Sequence, residues 1–245
     1  EAMTEGRRIV RAMILVSSSS LLSVALGFGV QVTLAAFYGA SRIMDAYFVA
    51  IALPILLSSV AHSVLAYTLV PILKTRAVAG NLKDFWGLAS AMFATVGGMA
   101  TVTVVGLILF AEVIIALLAP GLDAATRRLA IDAFRIVVIG LVFDLLRAVL
   151  ETVYLARERF FLPQFVPKLF YFVMLVCITL FASSLGISGV ALGWLIGFAL
   201  IFVLLCLPLA REYIKVHPRT FVYMRDIPWR ALAVGAVAVA LFQAA

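Results

Sequence analysis

Apolar residues in this chain do not alternate with polar ones at strand spacing; they run together in long blocks separated by short charged connections. A spanning helix needs about 20 mainly apolar residues. Six blocks meet that length, over roughly 9–39, 45–73, 85–118, 131–156, 160–183 and 187–210. A membrane barrel would instead read as alternating segments of about ten residues. The pattern therefore predicts an all-α fold, a polytopic transmembrane helix bundle of six helices over 1–212. A cytoplasmic or interfacial linker is expected over 213–226, and the start of a seventh helix over 227–245. Several blocks exceed the minimum, so tilting, kinking or extension beyond the lipid is expected. The chain opens on Glu1 and its seventh block is cut at Ala245, so a piece of a longer protein is expected.

Composition agrees with a lipid solvent: 65% of residues are hydrophobic, 13% are charged, and the mean hydropathy is +1.19. A net charge of +7 would suggest nucleic acid in a soluble protein, but here the position of the charges matters more. Arg7, Arg8 and Arg11 precede the first block. Lys74, Arg76 and Lys83 fill the second connection, Arg157 and Arg159 the fourth, and Arg211, Lys215, Arg219, Arg225 and Arg230 the sixth. The odd connections hold Arg42, Arg127 and Arg128, so thirteen basic residues stand against three. That asymmetry predicts a cytoplasmic N-terminus. The first block is also far longer than a cleavable apolar region, and is expected to stay as a helix.

Some features of the blocks speak of packing. Gly189, Gly193 and Gly197 recur every four residues, on one face where another backbone can come close. Ser17 to Ser20 make the first block small and polar on several sides, and tight helix packing accounts for both features. Pro54, Pro71, Pro163 and Pro167 lie in or at the ends of blocks, where neighbours or water must take up freed carbonyls. Bent helices of this kind also line cavities in transporters.

Ionisable residues inside a block cost roughly 2.5–3.5 kcal/mol each on insertion scales, so each asks for a partner or for water. Asp144, Arg147 and Glu151 stand at i, i+3 and i+7, on one face of the fourth helix, with Arg147 in reach of both carboxylates. That face is either an internal ion pair fixing helix orientation or part of a proton or substrate relay. Arg42 and Asp45 make a second i, i+3 pair at the outer end of the second helix, where neutralisation is cheap. His62 lies near the middle of that helix among Ser58, Ser59 and Ser63. Its imidazole either titrates as a coupling ion passes or simply bonds to a neighbouring helix. Gln31 is a similar case in the first helix, and Lys168 is placed to snorkel to the cytoplasmic surface. The candidate substrate or coupling residues are thus Asp45, His62, Asp144, Arg147, Glu151 and Gln31.

Nothing in the chain has the pattern of an enzyme. It has no Gly-x-Ser-x-Gly elbow and no phosphate-binding Gly-Lys-Ser/Thr loop. His62 and His217 are too isolated to form a ligand set. Cys177 and Cys206 sit in apolar blocks without metal spacing and read as packing residues. No catalysis, cofactor, metal or nucleic-acid partner is expected; membrane lipids are.

The string FYGASRIMDAYFVAIALPILL from Phe37 to Leu57, followed by LVPIL from Leu69 to Leu73, resembles the first two helices of the MurJ/MviN lipid II flippases. These belong to the multidrug/oligosaccharidyl-lipid/polysaccharide (MOP) exporter superfamily. Further similarities follow in order: Ala119-Pro120-Gly121 after the third helix, Arg159-Phe160 with Pro163, and Phe165 with Pro167 entering the fifth. The resemblance implies two six-helix lobes that rock about a central cavity, this chain being the N-terminal lobe plus the start of the next helix. It also implies the bacterial cytoplasmic (inner) membrane, peptidoglycan biosynthesis and an inside N-terminus.

The chain departs from the family where charge is expected. Family members carry a Ser-Arg-x-Leu-Gly-Phe-x-Arg-Asp pattern along the first helix, whereas the aligned residues here run from Ser23 through Val24 and Val30 to Gln31. The family's Arg-Arg pair and following Glu in the second helix align with Ser58, Ser59 and Ser63, so Asp45 is the surviving charge of those aligned. Each charge-assisted bond from an arginine to a diphosphate contributes roughly 1.5–3 kcal/mol, so their loss weakens anion binding by several powers of ten unless Arg147, Lys168 or a second lobe compensates. Two readings follow. One is a divergent flippase lobe translocating a polyprenyl-linked, lipid II-like sugar by alternating access. The other is a transport-inactive relative serving as a scaffold or subunit among other membrane proteins.

Overall fold

The computed structural model describes the backbone of residues 2–216 and the side chains of 17–181 and 184–214. The expected seventh helix over 227–245, and the linker beyond residue 216, lie outside the described residues, as do the side chains of Arg7, Arg8 and Arg11. In chain order the helices are α1 (Ala2–Tyr38), α2 (Arg42–Val78), α3 (Leu82–Leu109), α4 (Ala111–Leu118) and α5 (Ala124–Ala156). Then come α6 (Phe161–Phe165), a 3-10 turn (Val166–Lys168), α7 (Leu169–Leu185) and α8 (Ile187–Val216).

Local chemistry explains the breaks. Gly186, at φ +52°, is the single residue between α7 and α8, and a positive φ there closes the two helices into a hairpin. Asn81 caps α3 by accepting the Asp84 N–H at 3.3 Å. Asp123 caps α5 through the Thr126 N–H at 3.3 Å and the Thr126 hydroxyl at 2.6 Å. Those bonds hold the Asp123 carboxyl below the usual carboxylate range. A lowered value means that the cap stabilises fully above the usual range and loses its effect as pH falls through the folded-state value. Asp123→Ala is therefore expected to lower the unfolding midpoint near neutrality, with wild type and variant converging in an acid titration.

Two expected spans are interrupted. The block over 85–118 breaks at Phe110 into α3 and α4. The block over 160–183 breaks into α6, the 3-10 turn and α7, because Pro163 and Pro167 have no N–H to donate to a helical bond. Length and apolarity also give five spanning helices among the described residues rather than six: Ser17–Tyr38, Arg42–Val78, Leu82–Leu109, Phe161–Phe181 and Ile187–Ile214. The difference is α5, which carries Asp132, Arg135, Asp144, Arg147 and Glu151 and so fails on composition.

Yet α5 is the centre of the bundle, packed against α2, α3 and α8. Its first half, with Phe134, Val137, Val138 and Leu141, belongs to one buried apolar cluster with α2 and α7. Its second half, with Val149, Val153 and Tyr154, belongs to another cluster with α3 and α8, where the Tyr154 hydroxyl donates to the Leu205 carbonyl at 2.9 Å. Asp144 and Arg147 fall between those clusters. Meanwhile α1 packs mainly on α7 and the segment before it, so a cleft opens between α1 and α2. Gly189, Gly193 and Gly197 are buried and face Phe181, Met174 with Cys177, and Phe170 of α7.

Candidate functional site

Where α2 crosses α5, Ser58 and His62, one helical turn apart, meet Asp144, Arg147 and Glu151. The Ser58 hydroxyl donates to Asp144 Oδ2. Arg147 donates to Asp144 Oδ1 from Nε at 3.0 Å and from Nη2 at 2.6 Å, and to Glu151 Oε1 from Nη1 at 2.5 Å. Its Nη2 also lies 3.1 Å from His62 Nε2. The imidazole completes the ring of contacts, with Nε2 3.3 Å from Asp144 Oδ2 and Nδ1 3.7 Å from Glu151 Oε2. Side-chain exposure is 0% for Asp144, 13% for Arg147, 18% for Glu151 and 24% for His62. A buried carboxylate survives in lipid only with such partners, since an unpaired charge there costs several kcal/mol.

On one side of this network lies a cavity of about 300 Å³. Ser23 of α1, Pro54, Ser58 and Ser59 of α2, and Asp144 and Arg147 of α5 form its polar wall, together with Lys168 of the 3-10 turn. Phe170 and Tyr171 of α7 and Trp194 and Phe198 of α8 form the apolar wall. Trp194 is fixed by its indole N–H donating to the Tyr47 hydroxyl at 3.1 Å. On the other side of the network, between α2 and α5, a crevice of about 310 Å³ is lined by His62, Ser63, Tyr67, Glu151 and Thr152.

Four of the six candidate residues thus come together: His62, Asp144, Arg147 and Glu151. Asp45 and Gln31 do not join them. Asp45 is exposed in the first turn of α2, and Gln31 is exposed on α1. Arg42, expected to pair with Asp45, instead approaches Asp123 Oδ2 at 3.9 Å. Ser58 is a partner that the sequence reading did not place with the acidic face, although its i, i+4 spacing to His62 put the two on one side of α2. Lys168 faces the cavity as well as the helix end.

The chain matches the family model of the lipid II flippase MurJ over residues 34–241. It is 27% identical over 192 residues to a probable lipid II flippase MurJ of Buchnera aphidicola subsp. Schizaphis graminum (strain Sg), covering 76% of this chain and 37% of that protein. It is also 27% identical over 198 residues to a lipid II flippase MurJ of Thermosipho africanus (strain TCF52B), covering 79% and 40%. Among solved structures, a lipid II flippase MurJ in the inward closed conformation shares the fold, with a TM-score of 0.76 at 22% identity, over 91% of this chain and 47% of that one. The chain therefore spans about two fifths of the length of the curated relatives it matches.

Proposed function

Because this chain belongs to the lipid II flippase MurJ family, we propose that it forms the N-terminal transport lobe of a flippase for polyprenyl-diphosphate-linked sugars in the bacterial cytoplasmic membrane. The N-terminus is cytoplasmic, as the thirteen-to-three distribution of basic residues favours. In this reading α5 is a sixth crossing, tolerated because Asp144, Arg147 and Glu151 are paired inside the bundle, and residues 213–226 are the cytoplasmic linker to a seventh helix. The protein moves a lipid-linked sugar by alternating access and catalyses no bond change.

The observation that carries this reading is the cavity between α1, α2, α5, α7 and α8, with Lys168, Arg147 and three serine hydroxyls on one wall and aromatic rings on the other. A lipid-linked diphosphate presents the matching pair of surfaces, anionic oxygens and an apolar chain. Lys168 supplies a point charge on that wall. The transport-inactive scaffold remains as a second reading on one observation. Arg147 is already engaged by two carboxylates, and among the described residues no arginine of α1 or α2 lines the cavity.

The test is complementation. Expressed whole, the natural gene is expected to rescue cells depleted of their own lipid II flippase. Lys168→Glu is expected to abolish the rescue. Lys168→Ala is expected to weaken diphosphate binding about tenfold to hundredfold, the equivalent of one charge-assisted bond of roughly 1.5–3 kcal/mol. Gln31→Ala and Asp45→Ala, at exposed positions outside the cavity, are expected to leave rescue intact. A protein that reaches the membrane in normal amounts and fails to rescue is the scaffold.

A further inference from the structure

The charges of the α2–α5 network do not balance while His62 is neutral. One guanidinium faces two carboxylates, and the imbalance sits beside a fully buried Asp144. Protonating His62 brings the set to neutrality. Neutral His62 in its Nδ1–H tautomer accepts the Arg147 Nη2–H at Nε2, which helps hold the guanidinium against Asp144 and Glu151. Protonated His62 has no lone pair left there. Its Nε2–H faces Asp144 Oδ2 at 3.3 Å, its Nδ1–H faces Glu151 Oε2 at 3.7 Å, and it repels the guanidinium at 3.1 Å. The two cations then compete for the same carboxylates, and Arg147 is the one that already lines the cavity beside Lys168.

We propose that His62 is a proton-binding site whose occupancy decides whether Arg147 is available to an oxyanion in the cavity. The proton arrives from the crevice that His62 and Glu151 line, forms the imidazolium, and leaves by the same route when the anion departs. The anion is of the phosphate or diphosphate class, and its identity rests on the flippase reading above. The other groups facing His62 are few among the described residues. The 3-10 turn adds Lys168, α2 itself adds Tyr67, and α7 adds the phenol of Tyr171 across the cavity. From α8 come apolar or indole side chains, from α1 Ser23, and α3 lines neither space. None of these supplies the missing positive charge except Lys168, which stands on the anion's side of the network.

Linkage makes the idea measurable: if the proton raises anion affinity about tenfold, the anion raises the titration midpoint of His62 by about one pH unit. His62 is one of two histidines in residues 1–245, and its ring 15N resonances in the whole protein in lipid nanodiscs are assigned as those missing from the His62→Gln variant. Sulfate is the probe, because its charge is constant across the titration, with sodium gluconate at equal ionic strength as the control. The expected result is that sulfate moves the His62 midpoint up by about one unit. In parallel, sulfate binding to wild type is expected to strengthen about tenfold from pH 8 to pH 6. The His62→Gln variant, which keeps a hydrogen-bonding side chain but cannot titrate, is expected to lose that dependence. A midpoint indifferent to sulfate, the absence of saturable sulfate binding at pH 6, or a His62→Gln variant with undiminished pH dependence overturns the proposal. These readouts need no lipid II, so failure here leaves complementation standing, and failed complementation leaves these results interpretable.

Discussion

Arg147→Gln is expected to be the most destabilising single substitution in the lobe, lowering stability by about 3–5 kcal/mol, the range found when one partner of a buried ion pair is removed. The reason is what it leaves behind. Asp144 has no exposed surface and would keep only Ser58 and His62, while Glu151 would keep only the more distant contact with His62. Arg147→Lys is expected to rescue only part of the loss, since an ammonium cannot bond Asp144 and Glu151 in the forked arrangement seen here. Neutralising all three, as Asp144→Asn, Arg147→Gln and Glu151→Gln together, is expected to recover most of it, because no charge is then stranded. Thermal unfolding of the purified protein in nanodiscs compares the four. A loss below about 1 kcal/mol for Arg147→Gln, typical of exposed pairs, would show that water reaches the network freely.

Gly189→Ala is expected to produce the second large effect, a loss of about 1–3 kcal/mol from forced repacking. A Cβ built there would lie 2.7 Å from Phe181 Cβ and 3.1 Å from the Phe181 carbonyl oxygen, so α7 and α8 would have to separate beside their one-residue connection. At Gly197 the nearest atom, at 2.8 Å, belongs to the Phe170 ring, which can rotate, and the penalty is expected to be smaller. Gly98 has nothing within 4 Å, so Gly98→Ala is expected to be neutral or to gain up to about 1 kcal/mol from helix propensity. The order Gly189, Gly197, Gly98 in unfolding midpoints is the check. Equal effects at the three positions would mean that propensity, not contact with α7, sets the response.

Both results bear on how the lobe works. Gly189, Gly193 and Gly197 lock α8 to α7, which with Tyr171 and Phe198 forms the apolar wall of the cavity, while the network clamps α2 to α5 on its polar wall. A proton that reorganises the clamp would change the polar wall without disturbing the apolar one.

Much of this was legible in the chain because it is local. Blocks of about 20 apolar residues specify lipid-spanning helices wherever they occur. The spacings of Gly189, Gly193 and Gly197, and of Asp144, Arg147 and Glu151, put each set on one face because a helix turns by a fixed angle per residue. The rotation of one helix against another is not local; it follows from which side chains interdigitate. So the meeting of Ser58 and His62 with the acidic face, and the exposure of Gln31 and Asp45 away from it, came only from the packed bundle. The standing of α5 was decided in the same way. Counted along the chain its charges disqualify it as a span, but in three dimensions Asp144, Arg147 and Glu151 pair inside the bundle and Arg135 pairs with Glu112 of α4, and the least apolar long helix becomes the centre of the bundle.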